Sequence, residues 1–490
     1  MDTSLQTLRE RMPELEIDTS ADACSAFIRD ASGFEGERPL GVVTPRSRDE
    51  VQQLVLCARE TGVRLLPVSS RGPRYRGDTL CTHDTLVVDL GGLDRIVRVD
   101  RRNRVALFEP GVGFPELQAA LAERGLRAML PLAPRPGKSA LAAYLEREPT
   151  IYPRFQWDLS DPLLCVEVVF GTGEHFRTGS AAGPGTLEEQ WRAGDAQKSP
   201  MGPGQSDLMR VVQGAQGTIG LVTWCSAKAE VLPSRETLHL VHGDALASLV
   251  PFTYELLRRG HADICFLVNG RALTALLAES RDAFAGAVAR AAPWYAVYSL
   301  ADHPYFPDER RRYVRAEIEA ELRRAGLGET LSLPLGDPAR LRQRLLRPES
   351  AESFPYWKHA GLEATRELFF HTTLDRAPSF LDVVERSAAG RAGEPPLLYL
   401  QPQLGGRVLH FEIDLPHAED ERAAAADRWW RLAQDLRDAG AFFSRPYGPL
   451  AELAFRGSST AWMVPRIKKI FDPDGVLSPR DLVVPRTAAA

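Results

Sequence analysis

"LLPVSSRGPRYRGDT", residues 65–79, is where the fold is decided. Leu65 to Val68 reads as a short buried strand. The chain then turns through two serines, two glycines, a proline and three arginines. In α/β sheets, ligands dock where loops leave the carboxyl ends of strands. The N–H groups of a tight Gly/Ser loop form a concavity suited to phosphate oxygens. Small residues permit close approach, and arginines can neutralise a diphosphate. Taken alone, such a loop is equally a solvated basic face.

The flanking sequence alternates strand and helix. "PLGVVTP" (39–45) reads as a strand. Ser47 with Glu50 three residues on forms a capping box, Val51, Leu54, Val55 and Ala58 follow at helical spacing, and Gly62 sits at the stop. Further strands are expected at 85–90, 95–99 and 105–109, and a helix from Pro115 to Gly125. Familiar phosphate motifs are excluded. Gly137-Lys138-Ser139 has Leu132 where a Walker loop needs glycine. "GVGFPE" and "GTGEHF" place Glu116 and Phe176 where a dinucleotide fingerprint needs its third glycine.

At 490 residues the chain needs two or three domains. A net charge of −5 gives no bulk attraction to nucleic acid or anionic lipid. No apolar run reaches membrane-spanning length, and the N-terminus lacks a signal-peptide core. The six cysteines are scattered without a CxxC, so an iron–sulfur cluster or structural zinc is not expected. The expected location is the cytoplasm.

Five segments in order carry a resemblance. They are "PLGVVTPRSRDEVQQLVLCARETGVRLLPVSSRG" (39–72), "LVVDLGGLDRIVRVDRRNRVALFEPGVGFPELQAAL" (86–121), "DPLLCVEVVFGTGEHFRTGS" (161–180), "QGAQGTIGLVTWCSAKAEVLP" (213–233) and "IKKIFDPDGVLSP" (467–479). Together they resemble the vanillyl-alcohol oxidase/p-cresol methylhydroxylase superfamily, near its glycolate/D-lactate oxidase and flavocytochrome-type branches. The resemblance implies an α+β chain: a PCMH-type FAD-binding domain of two α/β subdomains, and an α+β cap with an antiparallel sheet. The expected divisions are a helical segment (1–34), the FAD domain (35–233), the cap (234–440) and a segment returning to the FAD domain (441–490).

The resemblance also implies FAD, held by Pro67, Ser69, Ser70, Arg71, Gly72, Arg74 and Gly77 of the pyrophosphate loop. Ser139 and Ala142 lie where the family has a serine and small residues against the flavin, with Ala142 replacing a glycine. Gly217, Thr218, Gly220 and Val222 match the segment beside the cofactor. Pro73 departs from the family loop by removing an N–H donor, which the arginines can offset. Tyr75 is the loop's one plausible nucleophile for a covalent flavin; His83 and Cys81 fit no attachment motif. Non-covalent FAD is expected.

In the cap, helices are expected at 245–259, 271–279, 308–325 (apolar face Tyr313, Val314, Ile318, Leu322), 380–386 and 418–437. Strands are expected at 264–268, 294–300, 397–400 and 408–413. Alternation in the last puts His410 and Glu412 on one face. Arg445 is a candidate for fixing an anionic or phenolic oxygen, Tyr447 for steering or deprotonating a hydroxyl, and His410 for the base. Against these stand a sheet-bound His410 and an Arg445 paired with Glu452 on the surface. Gly405-Gly406-Arg407 before His410 lacks the acidic residue of the metal-binding branch, so no metal is expected.

The activity implied is hydride transfer from an alcohol-type C–H of a small 2-hydroxy acid or phenolic alcohol to flavin N5. The alternative is a non-redox flavin-adduct transferase resembling alkylglycerone-phosphate synthase. The partners open to it are a small-molecule substrate, an electron-acceptor protein and a second copy of the chain, without nucleic acid or membrane insertion.

Overall fold

The computed structural model describes residues 2–478 apart from 33, 83, 156–160, 184, 195–207, 303, 349–355 and 390–392. His83 and Pro479 therefore lie outside the described residues.

The strand that opens the loop in question is Arg64–Val68. It pairs in parallel with Thr85–Asp89, which pairs in parallel with Gly41–Val43 on its other side. Helix Arg48–Thr61 covers this sheet. Ser47 Oγ accepts the Glu50 N–H at 3.2 Å, Glu50 Oε2 accepts the Arg46 N–H at 2.9 Å, and Gly62 closes the helix at φ 71°. Val51, Leu54, Val55 and Ala58 bury its inner face. A second, antiparallel sheet follows in the order Ile96–Asp100, Val105–Phe108, Gly220–Lys228, Leu163–Phe170, His175–Arg177. Helices Phe114–Ala122 and Ala140–Leu145 pack on it.

The C-terminal segment comes back to the first sheet. Leu65 N–H donates to the Val476 carbonyl and Ser478 N–H to that of Leu65, each at 2.7 Å. Asp472 holds this return. Its carboxylate receives Lys468 Nζ (2.7 Å), Val476 N–H (2.9 Å) and Leu477 N–H (3.0 Å) while 2% exposed. Asp472→Ala strands two buried N–H groups, each worth about 1–3 kcal/mol. We expect a loss of about 3 kcal/mol, read from the shift of the urea midpoint.

The cap is a six-stranded antiparallel sheet in the order Glu236–Gly243, Trp294–Ala301, Cys265–Asn269, Leu397–Gln403, Val408–His417, Ala364–Thr372. One face carries Leu267, Tyr298, Leu368, Phe370, Phe411 and Ile413 under helices Leu246–Arg259, Pro307–Ala325, Ala377–Ala388 and Arg422–Asp438. The opposite face is not left bare. Helices Gly270–Leu277 and Pro338–Leu346 cover part of it. At the sheet's end the two-residue period turns three rows of polar and aromatic residues to this second face. Across the strand pair, Glu367 faces Asp414, Phe369 faces Glu412 and His371 faces His410.

In the cap, two strands go beyond the sequence reading: Glu236–Gly243 and Ala364–Thr372. Tyr313 is also a correction. It is 63% exposed, while Val314, Ile318 and Leu322 are buried. One residue turns a helix by about 100°, which carries Tyr313 off the stripe. Among the described residues no helix is long and apolar enough to cross a membrane.

Candidate active site

A cleft with a cavity volume of about 150 Å³ lies between the loop that follows Val68 and the polar end of the cap sheet. Its first wall is a cradle of small residues. Ser139 caps helix Ala140–Leu145 by accepting the Ala142 N–H at 3.1 Å, and its own N–H donates to Ser70 Oγ at 3.1 Å. The 139–142 turn is thereby tied to the 65–79 loop. Gly217 sits at φ 75°, and a Cβ there would fall 2.4 Å from Pro67 Cγ. A Cβ at Gly220 would fall 2.4 Å from Val168 Cγ2. Gln216 Nε2 donates to the Pro446 carbonyl at 3.2 Å, joining the cradle to the opposite wall.

Of the residues proposed for the cofactor, Pro67, Ser69, Ser70, Arg74, Ala142, Gly217, Gly220 and Val222 line the cleft. The others do not. Arg71 is exposed and serves through its backbone, its N–H donating to Gly137 and its carbonyl accepting from Arg135. Gly72 lies beside it, outside the lining. Gly77 donates its N–H to Asp30 at 2.5 Å. Thr218 bonds the Ala215 carbonyl. Ser139 acts from behind, as the cap.

The three loop arginines have separate tasks. Arg74 is 8% exposed and stacks 4.4 Å over Phe27. Its Nη2 donates to the Ser70 carbonyl, and its Nε has no partner. Burial pulls its pKa down. A buried guanidinium with an open donor calls for an anion. Arg76 meets carboxylates already in place: Glu146 and Glu367 at 2.7 Å and Glu148 at 3.3 Å.

That contact opens a buried ion network that sequence reading missed. Lys138 pairs with Glu146 at 2.8 Å. Lys358, 3% exposed at its side chain, lies 2.8 Å from Glu367 and 3.1 Å from Asp414 and also binds Glu412. Burial raises Glu148, but Arg76, Lys138 and Arg445 more than offset it and bring the carboxyl to about 2. Burial lifts Asp414 well above the carboxylate range despite Lys358.

On the cap side, Arg445 is 5% exposed and lies 4.2 Å over the Phe369 ring. Its Nη1 donates to the Glu146 carbonyl at 3.1 Å, while Nε and Nη2 are without partners. Glu452 pairs with Arg456 instead, so the surface pairing does not form. Tyr447 lines the cleft beside Arg445, edge-on to Phe369. Burial, then Glu146, push its phenol well up. That disfavours the deprotonating role and leaves it a hydrogen-bond donor. His410 is fully buried, off the cleft wall, with its ring 5.5 Å from Phe369. Its Nε2 lies 2.8 Å from Glu412, Nδ1 has no partner, and burial lowers its pKa. Among the described residues no group of three or more His, Cys, Asp or Glu is placed to hold a metal ion.

The cleft fits FAD on two structural grounds: a cradle whose glycines leave no room for Cβ atoms, and a buried arginine donor open beside it. The comparisons agree. Residues 39–179 match the model of the FAD binding domain. The chain thus carries an FAD-binding domain and binds FAD. Among named relatives, the mitochondrial D-lactate dehydrogenase (cytochrome) of Arabidopsis thaliana is 26% identical over 197 residues, 40% of this chain and 31% of that protein. The match thus spans about a third of that relative's length. Two solved structures share the fold. p-Cresol methylhydroxylase with bound substrate has a TM-score of 0.81 at 15% identity, covering 96% of this chain and 95% of that one. An alkyldihydroxyacetonephosphate synthase has a TM-score of 0.69 at 13% identity, covering 98% and 86%.

Gly217→Ala tests the cradle. The left-handed backbone costs a non-glycine residue about 1–2 kcal/mol, and the added methyl must displace Pro67 from the wall. FAD titration into apoprotein, followed by flavin fluorescence, should show affinity at least about tenfold weaker.

Proposed function

We propose that the protein is an FAD-dependent oxidoreductase that removes hydride from the alcohol-type C–H of a small 2-hydroxy acid or phenolic alcohol. The observation that carries this is Arg445: a buried guanidinium with two open donors, Nε and Nη2, set across the cleft from the FAD cradle. FAD, when bound, supplies the hydride acceptor. Arg445 fixes the donor's carboxylate or phenolate by charge-assisted bonds. Tyr447, held protonated, donates a further hydrogen bond. Glu412 at Nε2 keeps the His410 proton on that nitrogen, and Nδ1, behind the cleft wall, takes the hydroxyl proton through an intervening water. Tyr356 and Leu145, which line the cleft, restrict water. D-lactate and p-cresol, from which two of the similar proteins take their names, illustrate the two donor types.

FAD is held without a covalent bond in this reading. Among the described residues lining the cleft there is no histidine or cysteine. The three lining tyrosines are poor nucleophiles, since burial pushes Tyr75 to about 12 and Tyr356 and Tyr447 well up. Acid precipitation of the purified protein should leave the flavin in the supernatant; a yellow pellet overturns this part.

The second reading, a flavin-adduct transferase, draws on the fold shared with the alkyldihydroxyacetonephosphate synthase. Anaerobic mixing with 2-hydroxy acids and phenols separates the two. Bleaching of the visible flavin band supports hydride transfer. Turnover with an unbleached band supports the adduct chemistry.

A further inference from the structure

Behind Arg445 of the cleft wall lie two further basic side chains, Arg147 and His371, within electrostatic reach of it. Arg147 sits between the cleft residues Glu146 and Glu148 at φ 54°. A long side chain adopts this left-handed conformation only where its surroundings hold it. Its Nε is buried without a partner. Burial, then the charges of Arg445 and Arg210, pull its pKa down. Arg147 is half-buried, and a guanidinium with its Nε sealed off among other cations is costly unless an anion joins it.

Arg445 is fastened to the same turn, because Nη1 donates to the carbonyl of Glu146. His371 closes the third side. Its backbone exchanges hydrogen bonds of 2.8 and 3.2 Å with Phe442, three residues before Arg445. Its ring lies 6.0 Å from that of His410, and its Nδ1 has no partner. Glu148 is within electrostatic reach of Arg445, and it is engaged by Arg76 and Lys138. Glu412 is taken by His410 and Lys358.

The geometry points to a dianionic donor: the corner formed by Arg147, Arg445 and His371 receives a second negative charge, a further carboxylate or a phosphate, beyond the one Arg445 alone would hold. This deepens the oxidoreductase reading and rests on it for calling the ligand a donor. Two guanidiniums and an imidazole lie within electrostatic reach of one another, carried by the turn after Leu145, the end of strand Ala364–Thr372 and the segment before Tyr447. One carboxylate would satisfy only part of that set.

The test is equilibrium binding to the FAD-loaded protein by titration calorimetry, with no turnover required. Glutarate and methyl phosphate serve as unoxidisable dianions and butyrate as the monoanion. At least one dianion should bind about tenfold or more tighter than butyrate, and which one does so tells carboxylate from phosphate. Arg147→Met should erase that preference, and Arg147→Lys should keep most of it. His371→Phe should reduce it several-fold, and it is the variant to read if Arg147→Met does not fold. Butyrate binding as tightly as both dianions, no binding of any of the three, or a preference unchanged in both variants overturns the proposal. Failure of every donor to bleach the flavin sinks the oxidoreductase reading instead, and leaves the measured anion preference standing.

Discussion

Arg76→Met should destabilise the protein by about 3–5 kcal/mol, the cost of removing one partner from a buried ion pair. The side chain is 11% exposed and neutralises Glu146, Glu148 and Glu367, of which the last is 4% exposed. Methionine fills much of the volume, so the loss is electrostatic. Lys138 and Lys358 remain, and they keep the cost below that of three bare carboxylates. Because Glu367 belongs to the cap and Glu146 and Glu148 to the cradle side, the variant should also loosen the cleft and hold FAD less tightly.

The loss should depend on pH with a definite sign. In the native protein Glu148 is held at about 2 and Glu367 below its ordinary value, in each case because Arg76 and a lysine outweigh burial. A folded pKa below the unfolded one contributes stability above the unfolded pKa, near 4.3, and that stability is lost as pH falls through the folded value. Without Arg76, burial dominates and the folded pKa values rise, so the variant takes up protons on folding. The gap between native and variant should be widest near about pH 7 and narrow towards about pH 4. Urea midpoints across that range measure it. A gap that is constant with pH would mean that lost packing, not charge, sets the cost.

What the sequence reveals here is the local part. Ser47, Glu50 and Gly62 delimit a helix because caps act within a few residues. The strand ending at Val68 is legible because an apolar run meets turn residues. The helix Ser139 caps was not foreseen; Ser139 stood out through the family resemblance alone. Side-chain direction within a loop has no such signature: nothing in "SSRGPRYRG" says that Arg71 faces solvent, Arg74 a ring and Arg76 the cap. Strand Ala364–Thr372 escaped because the positions it turns to the second face of the cap sheet are Glu367, Phe369 and His371, and a half-polar inner face blurs the alternation. A period-two reading of "TRELFFHTT" that allowed polar inner positions would have found it. The ion network is non-local, with Arg76 and Glu367 separated by 291 residues, so no spacing could announce it.

Arg445→Met should lower kcat/KM by about 100-fold or more, with flavin content nearly unchanged. Truncating one partner of a buried, charge-assisted pair costs about 2–5 kcal/mol, and each 1.4 kcal/mol is a factor of ten. Arg445 holds its position without help from substrate: Phe369 supports the guanidinium plane at 4.2 Å and the Glu146 carbonyl anchors Nη1. Nε and Nη2 are then free for an anionic oxygen, and little ordering is needed when the donor arrives. Arg445→Lys keeps the charge but loses the planar fork, so it should recover only part of the activity. Added guanidinium ion should restore rate to the methionine variant and not to the lysine one. A purely structural Arg445 would instead show its loss in the melting curve, with no rescue by guanidinium. Activity within about threefold of the parent in Arg445→Met, at full flavin loading, would remove this arginine from the site and with it the observation on which the proposed chemistry stands.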